Sequence, residues 1–458
     1  MTISAIARRL TLVIRLLRNM HQSALSTDSK PPLSSSMTSS RGPSFAAARE
    51  TPQFSSGESA RPDESLRDAE APRDTALDGL RAIAILLVVA HNAGSVAGPL
   101  DGPLLRAWAL VSNAGWTGVQ LFFALSGFLI TRILLDNRGI PGAMKSFYVR
   151  RALRIVPLYF ATLLVLFYLV PHVPALSAIS LRGPRSTLWY WFYLSNWVAP
   201  FGGLAIALPH VWSLAVEEQF YLVWPFVVGA LTARSLLLAC GILVVGSLCV
   251  RIGLHAVYPE HIASAAAYKW TVARFDALAM GALVAIVQRN ARGRAFLQER
   301  LGAIATLSLT ALVLVAVIGH GLPPEGIVTE CVTQPLSGFV SALAVFALIA
   351  PNREKGSPFV VAAHRLMSSR PLERIGRYSY ALYLFHLPLH LLLYPYAVVS
   401  ISHGTPTSRF AVLLAYTGCV LGLSLTLAKL SWVCIERPFL SLKRHFPMPR
   451  AARSLVPG

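Results

Sequence analysis

The chain has 458 residues, 54% of them hydrophobic and only 14% charged, with a mean hydropathy of +0.56. That balance excludes an ordinary soluble domain, in which about a quarter of the residues are charged, and marks a polytopic membrane protein. A formal net charge of +20 could serve nucleic acid, but the basic residues sit between apolar segments and form no contiguous stripe, so no nucleic-acid partner is expected.

Residues 1–75 differ from all that follows. Residues 1–20, "MTISAIARRLTLVIRLLRNM", alternate apolar and basic residues, and Arg15 interrupts the apolar run before it reaches signal-peptide length. Residues 21–75 are rich in Ser, Pro, Ala and charge, with too little apolar surface to offset ordering entropy. We therefore expect a disordered, basic cytoplasmic leader, its first helix lying on anionic lipid or, alternatively, preceding the true start of the protein.

From Leu77 onward, apolar windows of membrane-crossing length recur. The expected architecture is all-α, with about ten spans near 77–97, 115–135, 155–171, 210–231, 235–251, 271–288, 302–320, 332–350, 378–399 and 409–433. The aromatic tract 186–200, "STLWYWFYLSNWVAP", is too short for an eleventh and reads as an interfacial or re-entrant segment. Residues 76–440 thus form the transmembrane domain, and 441–458 a basic tail. Lysine and arginine concentrate in the loops after the second, sixth and eighth spans and in the tail, placing both termini in the cytoplasm. Five cysteines (Cys240, Cys249, Cys331, Cys419, Cys434) are scattered through apolar stretches and suit neither a disulfide framework nor a metal site.

The first span, "ALDGLRAIAILLVVAHNAG", retains Asp78, Arg81 and His91. Asp78 and Arg81 are three residues apart and can pair on one helix face. His91 lies ten residues further, about 15 Å along the axis, where an ionisable group is costly unless it faces a bundle interior. In "HVWSLAVEEQFYLVWP", residues 210–225, Ser213, Glu217, Tyr221 and Trp224 share one face, so Glu217 is expected to look inward and Glu218 toward the interface. In "FYVRRALRIVPLYF", Arg150, Arg151 and Arg154 should make a compact cationic patch suited to phosphate. Ser126 and Gly127 form no nucleophile elbow and read as helix-packing residues. Tyr383, His386, His390 and Tyr394 form a stripe on the ninth span, read as a hydrogen-bonded polar seam because no carboxylate or cysteine completes a metal set.

Seven blocks then carry a family resemblance: "LDGLRAIAILLVVAHN", "GVQLFFALSGFLIT", "FYVRRALRIVPLY", "WSLAVEEQFYLVWP", "RFDALAMGAL", "GRYSYALYLFHLP" and "IERPF", in order across residues 77–439. The chain resembles the acyltransferase 3 family of integral membrane O-acyltransferases. The resemblance implies that an acyl group, commonly acetyl, passes from cytoplasmic acyl-CoA to a hydroxyl of a cell-surface carbohydrate or glycolipid such as O-antigen, in a bacterial inner membrane. Arg81 and His91 match the family's arginine-x10-histidine pair, Arg151 with Arg154 its RxxR element, and Glu217 its WSLxxE glutamate. Ala82 departs from the glycine relatives often carry.

On this reading His91 is the general base, Glu217 its stabilising carboxylate, and Arg81, Arg150, Arg151 and Arg154 hold the CoA, with Asp78, Ser213, Tyr221 and His386 in support. Acyl-CoA is a co-substrate, and no bound cofactor is expected. Some relatives append a hydrolase-like domain, so a separate periplasmic partner or a homodimer stays open. The competing class is a transporter, because intramembrane His, Glu and Arg also build substrate paths.

Overall fold

The computed structural model describes residues 74–96, 101–176, 187–202, 208–319, 322–349, 358–402 and 404–448. The expectation for residues 1–73 lies outside these, as does the end of the tail. The described residues are helical throughout, with no strand among them. Nine helices in this set are long and apolar enough to cross a membrane, which makes the chain a multi-pass membrane protein.

In chain order the main elements are α1 (Thr75–Gly94), α2 (Pro103–Ala114), α3 (Thr117–Asp136), α4 (Ala143–Leu164), α5 (Trp212–Ala230), α6 (Ala233–Val257), α7 (Glu260–Lys269), α8 (Thr271–Val287), α9 (Ala291–Ile318), α10 (Gln334–Ile349), α11 (Pro358–Met367), α12 (Arg370–Arg377), α13 (Ser379–Ser402), α14 (Pro406–Ser431) and α15 (Arg437–Ser441). The stretch 210–231, expected as a span, is helical as α5, but with Glu217, Glu218 and Gln219 it is not among the nine helices apolar enough to cross a membrane. It is tolerated because its polar face meets protein. The tract 187–201 folds into short turns, Leu188–Trp191 and Ser195–Val198 among them, and adds no span.

Local chemistry sets the boundaries. Thr232, Asn290 and Thr405 cap α6, α9 and α14 by accepting backbone N–H bonds, from Ser235, from Arg292 and Gly293, and from Ser408. Gly102 and Gly142, at φ +104° and +79°, turn the chain into α2 and α4. At the centre, α3 and α8 touch backbone to backbone. A methyl group at Gly127 would lie 1.9 Å from the Leu278 carbonyl oxygen, and one at Gly281 2.0 Å from that of Ala124. Small residues permit this approach where lipid offers no hydrophobic drive to helix association. Burial grades outward from that contact: 72% of the apolar window of the α7–α8 span is buried, against 6% of α9, which lies at the periphery.

Charge inside this apolar bundle is balanced by opposite charge at two positions among the described residues. Arg251 on α6 donates to Asp276 on α8 at 2.5 Å and to the Ala273 carbonyl at 2.6 Å, and neither side chain of the ion pair is exposed. Nearer the surface, Arg409, itself buried, meets the exposed Asp101 at 2.7 Å.

Candidate active site

The residues named from sequence fall into two groups at different depths. Near the start of α1, Arg81 donates to Asp78 at 2.8 Å, the expected pair. α12 lies against this end so closely that a methyl at Gly376 would be 1.8 Å from the Asp78 carbonyl. Facing it, Ser126 of α3 donates a hydrogen bond to the Glu217 carboxylate on α5. The Arg151 guanidinium lies 3.7 Å from the centre of the Tyr221 ring, one turn further along α5. Arg151 and Arg81 both act on Glu217 through their charge. The first group is therefore Asp78, Arg81, Ser126, Arg151, Glu217 and Tyr221, contributed by α1, α3, α4 and α5.

Three expectations change here. Arg150, Arg151 and Arg154 do not form one patch: Arg151 points into the bundle, Arg150 donates to the Lys443 and Phe446 carbonyls at 3.3 and 3.2 Å, and Arg154 faces Glu436. Successive helical residues are about 100° apart, which sends Arg150 and Arg151 to different neighbours. Glu218 is not an interfacial carboxylate. It lies within electrostatic reach of Arg151 and of Tyr159 on α4, Tyr193 in the tract after α4 and Tyr380 on α13, so three elements converge on that side of α5. Ser126 does more than pack, because its hydroxyl holds Glu217; Gly127 beside it is the packing residue.

The second group surrounds His91 at the other end of α1. His91 Nδ1 lies 2.7 Å from the Ser112 carbonyl oxygen of α2. A carbonyl can only accept, so Nδ1 carries the proton, and the lone pair of the neutral ring resides on Nε2. Two glycines bring α2 close enough: a methyl at Gly94 would meet Ser112 Oγ at 2.5 Å, and one at Gly115 the Leu87 carbonyl at 2.3 Å. Asn92 donates to the Val88 carbonyl at 2.9 Å and lies 3.2 Å from His386 Nε2. His386 Nδ1 faces the Tyr383 and Leu382 carbonyls at 2.8 and 3.2 Å, so it too is protonated at Nδ1 and accepts from Asn92. The seam continues through Ser213, 2.6 Å from the Tyr383 hydroxyl, and His390, 2.6 Å from that of Tyr416. His210, buried against Tyr383 and His386 with ring centres 5.1 Å from each, was not singled out in the sequence. No group of metal-binding residues occurs among the described residues.

His91 and Glu217 are thus not partners. Each has its own hydrogen-bond mate, one a backbone carbonyl and the other a serine, and Glu217 keeps company with Arg81, about 15 Å along α1 from His91. A histidine with an oriented free nitrogen can move a proton; a carboxylate among arginines can organise an anionic or polar ligand.

A helical membrane bundle that sequesters such groups inside belongs to the class of membrane-embedded enzymes and transporters. Comparison narrows the class. An acyltransferase domain of the acyltransferase 3 family covers residues 74–429, and the chain belongs to that family. It is 31% identical over 384 residues to a Bacillus subtilis protein provisionally named peptidoglycan O-acetyltransferase YrhL, covering 79% of this chain and 54% of that one. It is 30% identical over 339 residues to the peptidoglycan O-acetyltransferase OatA of Listeria monocytogenes (70% and 50%), and 28% identical over 334 residues to the O-acetyltransferase OatA of Staphylococcus aureus (70% and 51%). The chain spans about half the length of these curated relatives. No solved structure matches it.

Proposed function

We propose that the chain transfers an acetyl group from cytoplasmic acetyl-CoA to a hydroxyl of a cell-envelope glycan, from a bacterial inner membrane with both of its termini in the cytoplasm. The names of the relatives favour peptidoglycan over O-antigen as acceptor. The observation that carries the reading is the state of His91: its Nδ1 proton is committed to the Ser112 carbonyl, which leaves Nε2 as a base inside an apolar bundle. Nε2 takes the acceptor's hydroxyl proton as that oxygen attacks the thioester carbonyl. The carbon–sulfur bond then breaks, and the departing CoA thiolate takes the proton from the imidazolium. The backbone carbonyl stabilises the imidazolium in place of a carboxylate.

The donor enters, on this reading, from the Arg81 end. Arg151 and Arg81 supply cations to its phosphates or pantetheine amides, and Glu217 and Ser126 fix their geometry. The site residues divide into a donor group and a transfer group, with about 15 Å between them for an extended pantetheine arm to cross. A homodimer or a separate periplasmic acceptor-handling protein completes the assignment of partners.

The test is acceptor-dependent CoA release by protein purified with native lipid, comparing wild type with His91→Ala and His91→Gln at equal folded yield, with peptidoglycan fragments and lipid-linked glycans as acceptors. Loss of release in both variants, with binding of CoA retained, is the expected result. Equal release by wild type and His91→Ala would remove His91 from the chemistry.

A further inference from the structure

The seam between α4 and α5 continues beyond Arg151 and Tyr221 to the end of the bundle. Phe147, one turn before Arg151, and Pro225, one turn after Tyr221, lie in the wall of a cavity of about 240 Å³. Its other walls include Ile133, Arg138 and Gly229, with Met448 from the C-terminal segment. From Pro225 to Glu217 is eight helical residues, about 12 Å, so cavity, Arg151 and the Glu217–Ser126 bond follow one another along a single line.

Three observations describe what this cavity would take. Its lining is mainly apolar with a few polar groups, Asn137 and Arg138 among them, the general make-up of a small-molecule site, and its volume is of the order of one purine ring. One cation lines it, Arg138, which donates to the Gly229 carbonyl at 3.2 Å, and the elements that supply its walls also carry Lys145, Arg150, Lys443 and Arg444. The neighbouring acids Asp136 and Glu436 are already engaged, Asp136 by Arg289 and Arg132, Glu436 by Ser431 at 3.1 Å and by the charge of Arg154. Finally, the C-terminal segment is anchored rather than loose. Arg150 Nη1 holds both the Lys443 and Phe446 carbonyls, which brings Met448 over the cavity.

We propose that this cleft is the adenosine subsite of the CoA donor and that residues 442–448 are one of its walls, tied down by Arg150. The inference rests on the acyl-CoA reading above. Adenine occupies the apolar cleft, the phosphates meet the cationic border, and the pantetheine arm runs past Arg151 toward Glu217. Arg150 is then a positioning residue acting through the tail, while Arg151 touches the donor.

The experiment is equilibrium binding of CoA and of 4′-phosphopantetheine, which lacks the adenosine, to the full chain in native-lipid discs. Gly229→Phe adds a ring to the cleft wall from α5 at a position where an added methyl meets nothing within 4 Å, and Met448→Trp fills the cleft from the tail. Both variants are expected to weaken CoA about tenfold or more while leaving 4′-phosphopantetheine within about twofold of wild type. Arg150→Ala should reproduce the selective loss, because it frees the tail. Unchanged CoA binding in the two filled variants, or an equal loss for both ligands, overturns the subsite. Failure of the wild-type protein to bind CoA removes the donor reading itself and this subsite with it, a result distinct from either.

Discussion

The commitment of His91 to one tautomer depends on how closely α2 approaches α1, and Gly115→Ala tests it. An added methyl would lie 2.3 Å from the Leu87 carbonyl oxygen and 2.8 Å from His91 Cβ, where ordinary contact begins at 3.4 Å. Relief of the first clash requires a retreat of about 1.1 Å, the difference between 3.4 and 2.3. The Gly115 N–H donates to the Ser112 carbonyl at 3.1 Å, so that carbonyl retreats with it and the 2.7 Å bond from His91 opens to about 3.8 Å, beyond hydrogen-bonding range. The lost bond is worth about 0.5–1.5 kcal/mol, enough to let the other tautomer compete. A displacement of about 1 Å at the reacting group costs up to about 100-fold in rate. The expected outcome is a 10- to 100-fold lower kcat for acetyl transfer, about 1–3 kcal/mol of lost stability, and an unchanged KM for acetyl-CoA because the donor group lies elsewhere. Steady-state kinetics with ¹⁵N-histidine spectra of the tautomer would read both halves. A Gly115→Ala protein that keeps wild-type kcat while its His91 tautomer has changed would refute the reasoning.

Four other predictions concern the bundle. Ser126→Ala removes the donor to Glu217, a bond to a charged group worth about 1.5–3 kcal/mol, and should slow transfer about tenfold or more. Glu217→Gln should cost more, since Arg151 and Arg81 lose their counter-charge, and the double variant should be no worse than Glu217→Gln alone; additive losses would show separate roles. Arg251→Met strands the buried Asp276 carboxylate and should cost about 3–5 kcal/mol in detergent unfolding, whereas Arg251→Met with Asp276→Leu should recover most of it; a single variant as stable as wild type would contradict the pairing. Gly127→Ala and Gly281→Ala each drive a methyl into a facing carbonyl and should lower Tm, while Gly241→Ala, with nothing within 4 Å of the added group, should leave it unchanged.

Much of the site was legible because charge in an apolar run is expensive and therefore informative. Asp78, Arg81, His91 and Glu217 stood out on that ground, and the i,i+3 pairing of Asp78 with Arg81 is a local property that any helix would express. Helical spacing also placed Ser213, Glu217, Tyr221 and Trp224 on one inward face, and all four have partners there: Tyr383, Ser126, Arg151 and Thr131. Spacing failed where the answer lay on another helix. It could not show that Ser126, an ordinary packing residue by composition, would face Glu217, nor that His91 would turn to a backbone carbonyl that has no sequence signature at all.

The sequence by itself determined the solvent, the helical class, where nine of the ten expected spans fall, though α4 and α9 begin at Ala143 and Ala291 rather than near 155 and 302, and the list of groups too costly to bury without purpose, because each follows from transfer energy and a period of 3.6 residues. Tertiary structure alone decided how those groups are shared out. Arg150, Arg151 and Arg154 look alike in sequence, yet one anchors the C-terminal segment, one enters the bundle and one faces Glu436. His91 and Glu217, the two residues sequence most wished to join, are separated along α1 because each is bound by the helix that packs beside it, α2 for one and α3 for the other. Contacts between elements depend on which faces meet and at what depth, and a linear pattern carries the face but not the neighbour.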